Sequence, residues 1–259
     1  MKTIVITGST RGIGLALTRA FLKQGCAVVI SGRDQGRVDA SVKRIQNDFP
    51  LGRIKGFACD VTVFKQIELL WLNSIKAFES VDVWINNAGI SNSQNLPWKI
   101  PADEIHAVVA TNMLGVMFGS KVAITGFNNQ GYGALYNLEG MGSQGRRRVH
   151  GLSIYGATKA GLRYFNDAVA DEITSEKIIA GAIQPGMMLT DMIMGQYREK
   201  PEEWDRVKGI FALITEKPEI VAEWLVKKIL SNTRNGVRFS FGGLHRIAFR
   251  FLKSAFGKD

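Results

Sequence analysis

Tyr155 and Lys159 stand four residues apart in the stretch NLEGMGSQGRRRVHGLSIYGATKAG, residues 137 to 161. That spacing puts two side chains on one face of a helix, so the pattern predicts a phenol beside an ammonium. A phenol at its ordinary pKa of about 10 is a poor acid near neutral pH. Lowering it by about 3 units needs about 4 kcal/mol of differential stabilisation, close to what a unit charge at about 4 Å supplies at an effective dielectric of about 20. The pair is therefore expected to donate a proton to an oxygen that gains negative charge. Ser143, which follows the run EGMG, is the candidate third member.

Such a pair needs a rigid frame. Apolar runs of strand length recur at 3–7, 26–31, 53–58, 81–86, 133–138, 178–184 and 237–241, and the segments between them carry helical periodicity. That alternation predicts an α/β fold with a parallel sheet flanked by helices. Continuous apolar strands such as TIVIT and AVVIS suit burial on both faces. With 259 residues, 46% of them hydrophobic and 22% charged, one domain over 1–242 is expected, followed by a terminal segment at 243–259. A helix-rich excursion at 187–216 is the place for a mobile lid. No window approaches about 18 uninterrupted apolar residues, and the N-terminus reads as a strand rather than a signal peptide. Cys26 and Cys59 lie in or beside strand-like runs and are expected to be buried thiols. His106, His150 and His245 are widely separated, so no metal is expected.

The first strand runs into Thr7, Gly8, Ser9, Thr10, Arg11, Gly12, Ile13 and Gly14 and then an amphipathic helix. Glycines there let the backbone approach a pyrophosphate, and the helix N-terminus offers unpaired N–H groups. At the end of the second strand an acid would hold a ribose 2′-hydroxyl and a base a 2′-phosphate. The chain reads ISGRD: Ser31 stands where the acid is sought, Arg33 follows, and Arg11 can converge from the glycine turn. NADPH/NADP is thus expected in preference to NAD. Asp34 reads as the N-cap of the next helix.

Together with CDV at 59–61, NNAG at 86–89, Asn112 in TNMLG, YGATK at 155–159 and QPGMMLT at 184–190, these residues resemble the short-chain dehydrogenase/reductase family across nearly the whole chain. The resemblance implies a single Rossmann domain with a doubly wound seven-stranded sheet of order 3-2-1-4-5-6-7. It places the cofactor against the glycine turn, Arg33, Asp60, Val61, Asn87, Ala88, Gly89, Tyr155, Lys159, Pro185, Gly186, Met188 and Thr190, with Asp60 at the adenine and Thr190 at the carboxamide. Catalysis is implied for Asn112, Ser143, Tyr155 and Lys159. In the family's usual pattern a serine ends the fifth strand and polarises the carbonyl. Here a glycine stands where that serine is expected, and either Ser143 or a rebuilt turn at Gly140–Gly142 takes its role.

The runs YNLEGMGSQG, YGATKAGLRYF and QPGMMLTDMIM also resemble the chlorophyll b reductase group, whose members reduce the 7-formyl group of chlorophyll b to hydroxymethyl with NADPH. This implies a large apolar carbonyl substrate and a part in chlorophyll breakdown. Two alternatives stay open: reduction of another ketone or aldehyde, such as a 3-oxoacyl or steroid-like compound, and a non-catalytic NADP-binding regulatory protein. Without the extensions expected of plastid-targeted members, the chain reads as a bacterial cytoplasmic relative.

The net charge of +10, from 33 basic and 23 acidic residues, suits an anionic ligand or surface. No nucleic-acid motif accompanies it. Arg146, Arg147 and Arg148 read as a solvated loop or an anion clamp. In the tail, Leu244, Ile247, Phe251 and Leu252 form an apolar stripe beside Arg246, Arg250 and Lys253. This basic amphipathic pattern fits peripheral membrane contact and, equally, packing on a subunit of a homodimer or homotetramer.

Overall fold

The computed structural model describes residues 1–145, 148–189, 191–197 and 201–242. Arg146, Arg147, Thr190 and the 243–259 tail, all singled out above, lie outside the described residues. Among the described residues β1 (Thr3–Ile6), β2 (Ala27–Gly32), β3 (Ile54–Ala58), β4 (Val83–Asn86), β5 (Gly133–Leu138), β6 (Ile178–Gln184) and β7 (Val237–Ser240) form one sheet in the order 3-2-1-4-5-6-7. Every neighbouring pair is parallel.

Both faces are covered, and the strands alternate between two cores. Ile4, Ile6, Val28 and Ile30 face one way, against Leu17 and Phe21 of α1 (Gly12–Lys23) and Val221, Leu225 and Ile229 of α9 (Pro218–Ser231). Val5, Val29 and Trp84 face the other, against Ile67 and Leu70 of α3 (Phe64–Phe78) and Val122 and Phe127 of α5 (Gly115–Gln130). Trp71 sits 5.5 Å from the Phe127 ring centre. Gly126 lets α5 approach it, since a Cβ there would lie 2.0 Å from the indole. Fully burying each large side chain contributes about 1.5–3 kcal/mol.

The strand order reverses at β1, with β2 and β3 on one side and β4 to β7 on the other, which opens a crevice at the carboxyl ends of β1 and β4. Three more elements shape it: α2 (Gln35–Asp48), α4 (Ala102–Val109), which continues through a π-turn (Ala110–Leu114) into α5, and α6 (Ser153–Glu172). Asp34 caps α2, its Oδ1 accepting from the Arg37 N–H at 2.7 Å. Helical backbone from Ala102 to Gln130 is long and apolar enough to cross a bilayer by length and composition, although polar residues interrupt it. Half of its most apolar window is buried inside this fold.

Candidate active site

The crevice is an open cleft of about 1980 Å³ that runs from the glycine turn to the excursion after β6. At one end Gly8 takes φ +61° and packs so closely on the β4 loop that a Cβ would lie 2.8 Å from the Ala88 Cα. Gly12 takes φ +57°, lines the cleft, and has nothing within 4 Å of a Cβ. A side chain there would fill space facing the amino end of α1, so the turn fits a cradle for a pyrophosphate. Asn87 holds the turn from below, its Nδ2 donating to the Thr7 and Gly8 carbonyls at 2.8 and 2.9 Å.

Most of the anticipated cofactor residues line this cleft, among them Arg11, Arg33, Asp60, Val61, Ala88, Gly89, Pro185, Gly186 and Met188. Ser9 does not. It is fully buried, its hydroxyl donating to the Ile6 carbonyl at 2.6 Å and accepting from the Ser31 N–H at 3.0 Å. Its role is to join the ends of β1 and β2. Ser31 is fully buried too, and Gly32 is the residue that opens onto the cleft. The position for an acid is therefore one residue later than its strand pattern implied. Arg37 and Arg44, missed in the sequence, line the same end. Their spacing along one face of α2 was the available signal.

At the other end α6 carries Tyr155 and Lys159. Tyr155 donates its N–H to the Asn92 Oδ1 at 2.9 Å, and Asn92 itself is buried. Lys159 is buried, and its Nζ donates to the Leu138 carbonyl at 3.0 Å while lying 5.7 Å from the Tyr155 ring centre. Burial pushes Lys159 down to about 8, with the Glu139 carboxylate opposing it. Burial also pushes the Tyr155 phenol up to about 12. Burial of the phenol thus acts against the expected acidification. Near neutral pH the site holds a protonated phenol and a charged lysine.

Asn112 and Ser143 stand off the cleft lining. Asn112 is fully buried on the π-turn. Its Oδ1 accepts from the Ile90 N–H at 2.9 Å, and its Nδ2 donates to the Ile90 carbonyl at 2.8 Å and the Thr158 Oγ1 at 3.1 Å. It ties the β4 loop to the helix turn between Tyr155 and Lys159. The Ser143 hydroxyl donates to the Gly140 carbonyl at 2.7 Å and accepts from the Gly140 N–H at 3.0 Å. It closes a turn in which Gly140 is the member facing Tyr155: a Cβ on Gly140 would fall 2.4 Å from the phenol oxygen.

The excursion after β6 leaves and returns together, Glu216 donating its N–H to the Met187 carbonyl at 3.0 Å. Between them α7 (Asp191–Tyr197) and α8 (Pro201–Ile214) bring Ile193, Tyr197, Phe211 and Ile214 to the cleft. Tyr197, Trp204 and Phe211 pack as a cluster with ring centres 5.5–5.9 Å apart.

Sheet order, glycine turn and the Tyr155–Lys159 pair define a nucleotide-dependent oxidoreductase of Rossmann type. The chain belongs to the short-chain dehydrogenase family, whose model matches residues 2–201. It is 34% identical over 90% of its length to the chloroplastic chlorophyll(ide) b reductase NOL of Arabidopsis thaliana and spans 66% of that protein. It is 30% identical over 88% of its length to the probable chlorophyll(ide) b reductase NYC1 of the same plant, also chloroplastic, and spans 48% of it. A crystal structure of an actinorhodin polyketide ketoreductase with NADPH matches 94% of this chain and 97% of its own, with TM-score 0.80 and 25% identity. The expectation of a bacterial cytoplasmic protein is corrected here, because these plant relatives are chloroplastic.

Proposed function

We propose that this protein is an NADPH-dependent carbonyl reductase that converts the 7-formyl group of chlorophyll b, or of a related tetrapyrrole, to hydroxymethyl in a plastid setting. The observation that carries this reading is the cleft: a protonated phenol and an ammonium at its floor, beneath an apolar rim of Met187, Met188, Ile193, Tyr197, Phe211 and Ile214. A wide apolar mouth suits a large planar ring, and the similarity to chloroplastic chlorophyll(ide) b reductases supports the choice.

NADPH, when bound, supplies the hydride. The glycine turn and the start of α1 would hold its pyrophosphate, and Arg11, Arg33 and Arg37 its 2′-phosphate. Tyr155 gives its hydroxyl proton to the carbonyl oxygen as that oxygen becomes an alkoxide, and the Lys159 ammonium stabilises the phenolate left behind. The rim keeps water from the reacting carbonyl.

NADPH oxidation with detergent-solubilised chlorophyll b, set beside small aldehydes and ketones and with pigment products separated by chromatography, tests the assignment. A 7-hydroxymethyl product is expected; turnover of the small carbonyls alone would overturn the substrate. Cofactor choice is tested separately. Arg33→Ala is expected to weaken NADPH about 10-fold or more, the loss of one charge-assisted hydrogen bond of about 1.5–3 kcal/mol, and to leave NADH unchanged. Equal affinity of the unmodified protein for both nucleotides would remove the NADPH preference.

A further inference from the structure

One charged group at the site has no part in the chemistry above. Glu139 follows β5 directly, between Leu138, whose carbonyl holds Lys159, and Gly140, whose face rests on the Tyr155 hydroxyl. Its side chain is completely buried. Oε1 accepts from the Asn166 Nδ2 at 3.0 Å and from the Arg238 Nε and NH2 at 3.1 and 3.0 Å; Oε2 accepts from the Gln184 Nε2 at 2.6 Å and the Arg238 Nε at 3.1 Å. These partners come from α6, β6 and β7. Arg238 also pairs with Asp167 at 2.7 Å. A buried ion pair is weak evidence for stability, because desolvation offsets much of its attraction. Its placement here, as the single residue between the supports of Lys159 and Tyr155, calls for another account.

We propose that Glu139, clamped by Arg238, is a positioning residue for the Tyr155–Lys159 pair: it fixes the strand end on which both side chains rest and sets a negative charge behind the lysine. The proposal rests on the reading of Lys159 as part of the reaction site. Among the described residues the groups placed near Lys159 are these. Its own helix presents Tyr155, and the end of β5 presents the Leu138 carbonyl and Glu139. The β4 loop and the π-turn bring Gly89 and Asn112, neither of which ionises. Arg238 on β7 pairs with Glu139 and with Asp167 on α6.

The sign follows from this arrangement. Burial favours neutral Lys159, and Glu139 opposes that. Glu139→Gln keeps an acceptor for Asn166 or Gln184 but removes the carboxylate that meets Arg238 at 3.0 Å, leaving that partly buried cation paired with Asp167 alone, so Lys159 should lose its proton at lower pH.

The experiment is an NMR titration of the protein carrying [ε-13C]lysine, without nucleotide or substrate, with the Lys159 signal assigned by its loss in Lys159→Met. The Lys159 midpoint, near 8 in the unmodified protein, is expected to fall by about one pH unit or more in Glu139→Gln. The alkaline limb of kcat should move with it. The double variant Glu139→Gln, Arg238→Met should recover part of the shift because the Arg238 cation is removed together with the carboxylate, and it stands in for the single variant if that one does not fold. In either case a midpoint equal to that of the unmodified protein in the variant that folds, with only Tm lowered, would overturn the proposal and leave Glu139 a purely structural clamp. The titration contains no substrate, so its outcome is independent of whether chlorophyll b is the compound reduced.

Discussion

Tyr155→Phe is expected to lower turnover by about 10²- to 10⁴-fold, the range supplied by a positioned general acid, while nucleotide affinity and Tm stay close to those of the unmodified protein. In the proposed reaction the phenol is the acid: burial pushes it up to about 12, so it is protonated at the start of the cycle, although the same burial makes it a weaker donor than a free phenol. Lys159 supplies the charge that makes its ionisation possible as the alkoxide forms. Phenylalanine keeps the ring, its packing and the backbone bond to Asn92, and loses only the proton. Single-turnover rates with saturating NADPH, together with nucleotide titration by fluorescence, check both halves. A variant retaining more than about a tenth of the turnover would show that another group donates the proton.

Gly140→Ala is expected to cost about 10²-fold in turnover, comparable to an ångström-scale misplacement of a reacting group, with little loss of stability. An added Cβ would stand 2.4 Å from the Tyr155 oxygen and 3.4 Å from the Lys159 Cε. Both neighbours are far ends of side chains that can shift, so the fold survives and the acid moves. Gly140 is not among the residues held at positive φ, so alanine meets no backbone penalty there. The double variant with Tyr155→Phe should lose no more than Tyr155→Phe alone, since the two act through one hydroxyl. Additive losses would place the effect of the methyl elsewhere, in the path of the substrate.

The seven strands were legible in advance because parallel strands buried on both faces read as continuous apolar runs, whereas their order came from the family resemblance. The glycine turn and Tyr155–Lys159 were legible for a similar reason. Their meaning lies in spacings of a few residues, which the backbone of a turn or helix converts directly into geometry. The Asp34 cap belongs to the same class.

Other features depend on which side chains meet. Ser9 and Ser31 sit in the right motif but turn inward, since one hydroxyl and two backbone groups between adjacent strands satisfy each other there. Ser143 stands at a serviceable distance from Tyr155 along the chain, yet its hydroxyl is taken by both backbone groups of Gly140. Glu139 and Arg238 are 99 residues apart, and nothing local to either announces the other. The upward push of burial on Tyr155 has the same origin. Spacing along a helix reveals that an ammonium is near a phenol, but the balance between that charge and desolvation depends on everything packed around both. Local geometry, written in short-range sequence, pointed to the Tyr155–Lys159 pair; the surroundings that bear on its protonation were assembled by strands and helices distant in the chain.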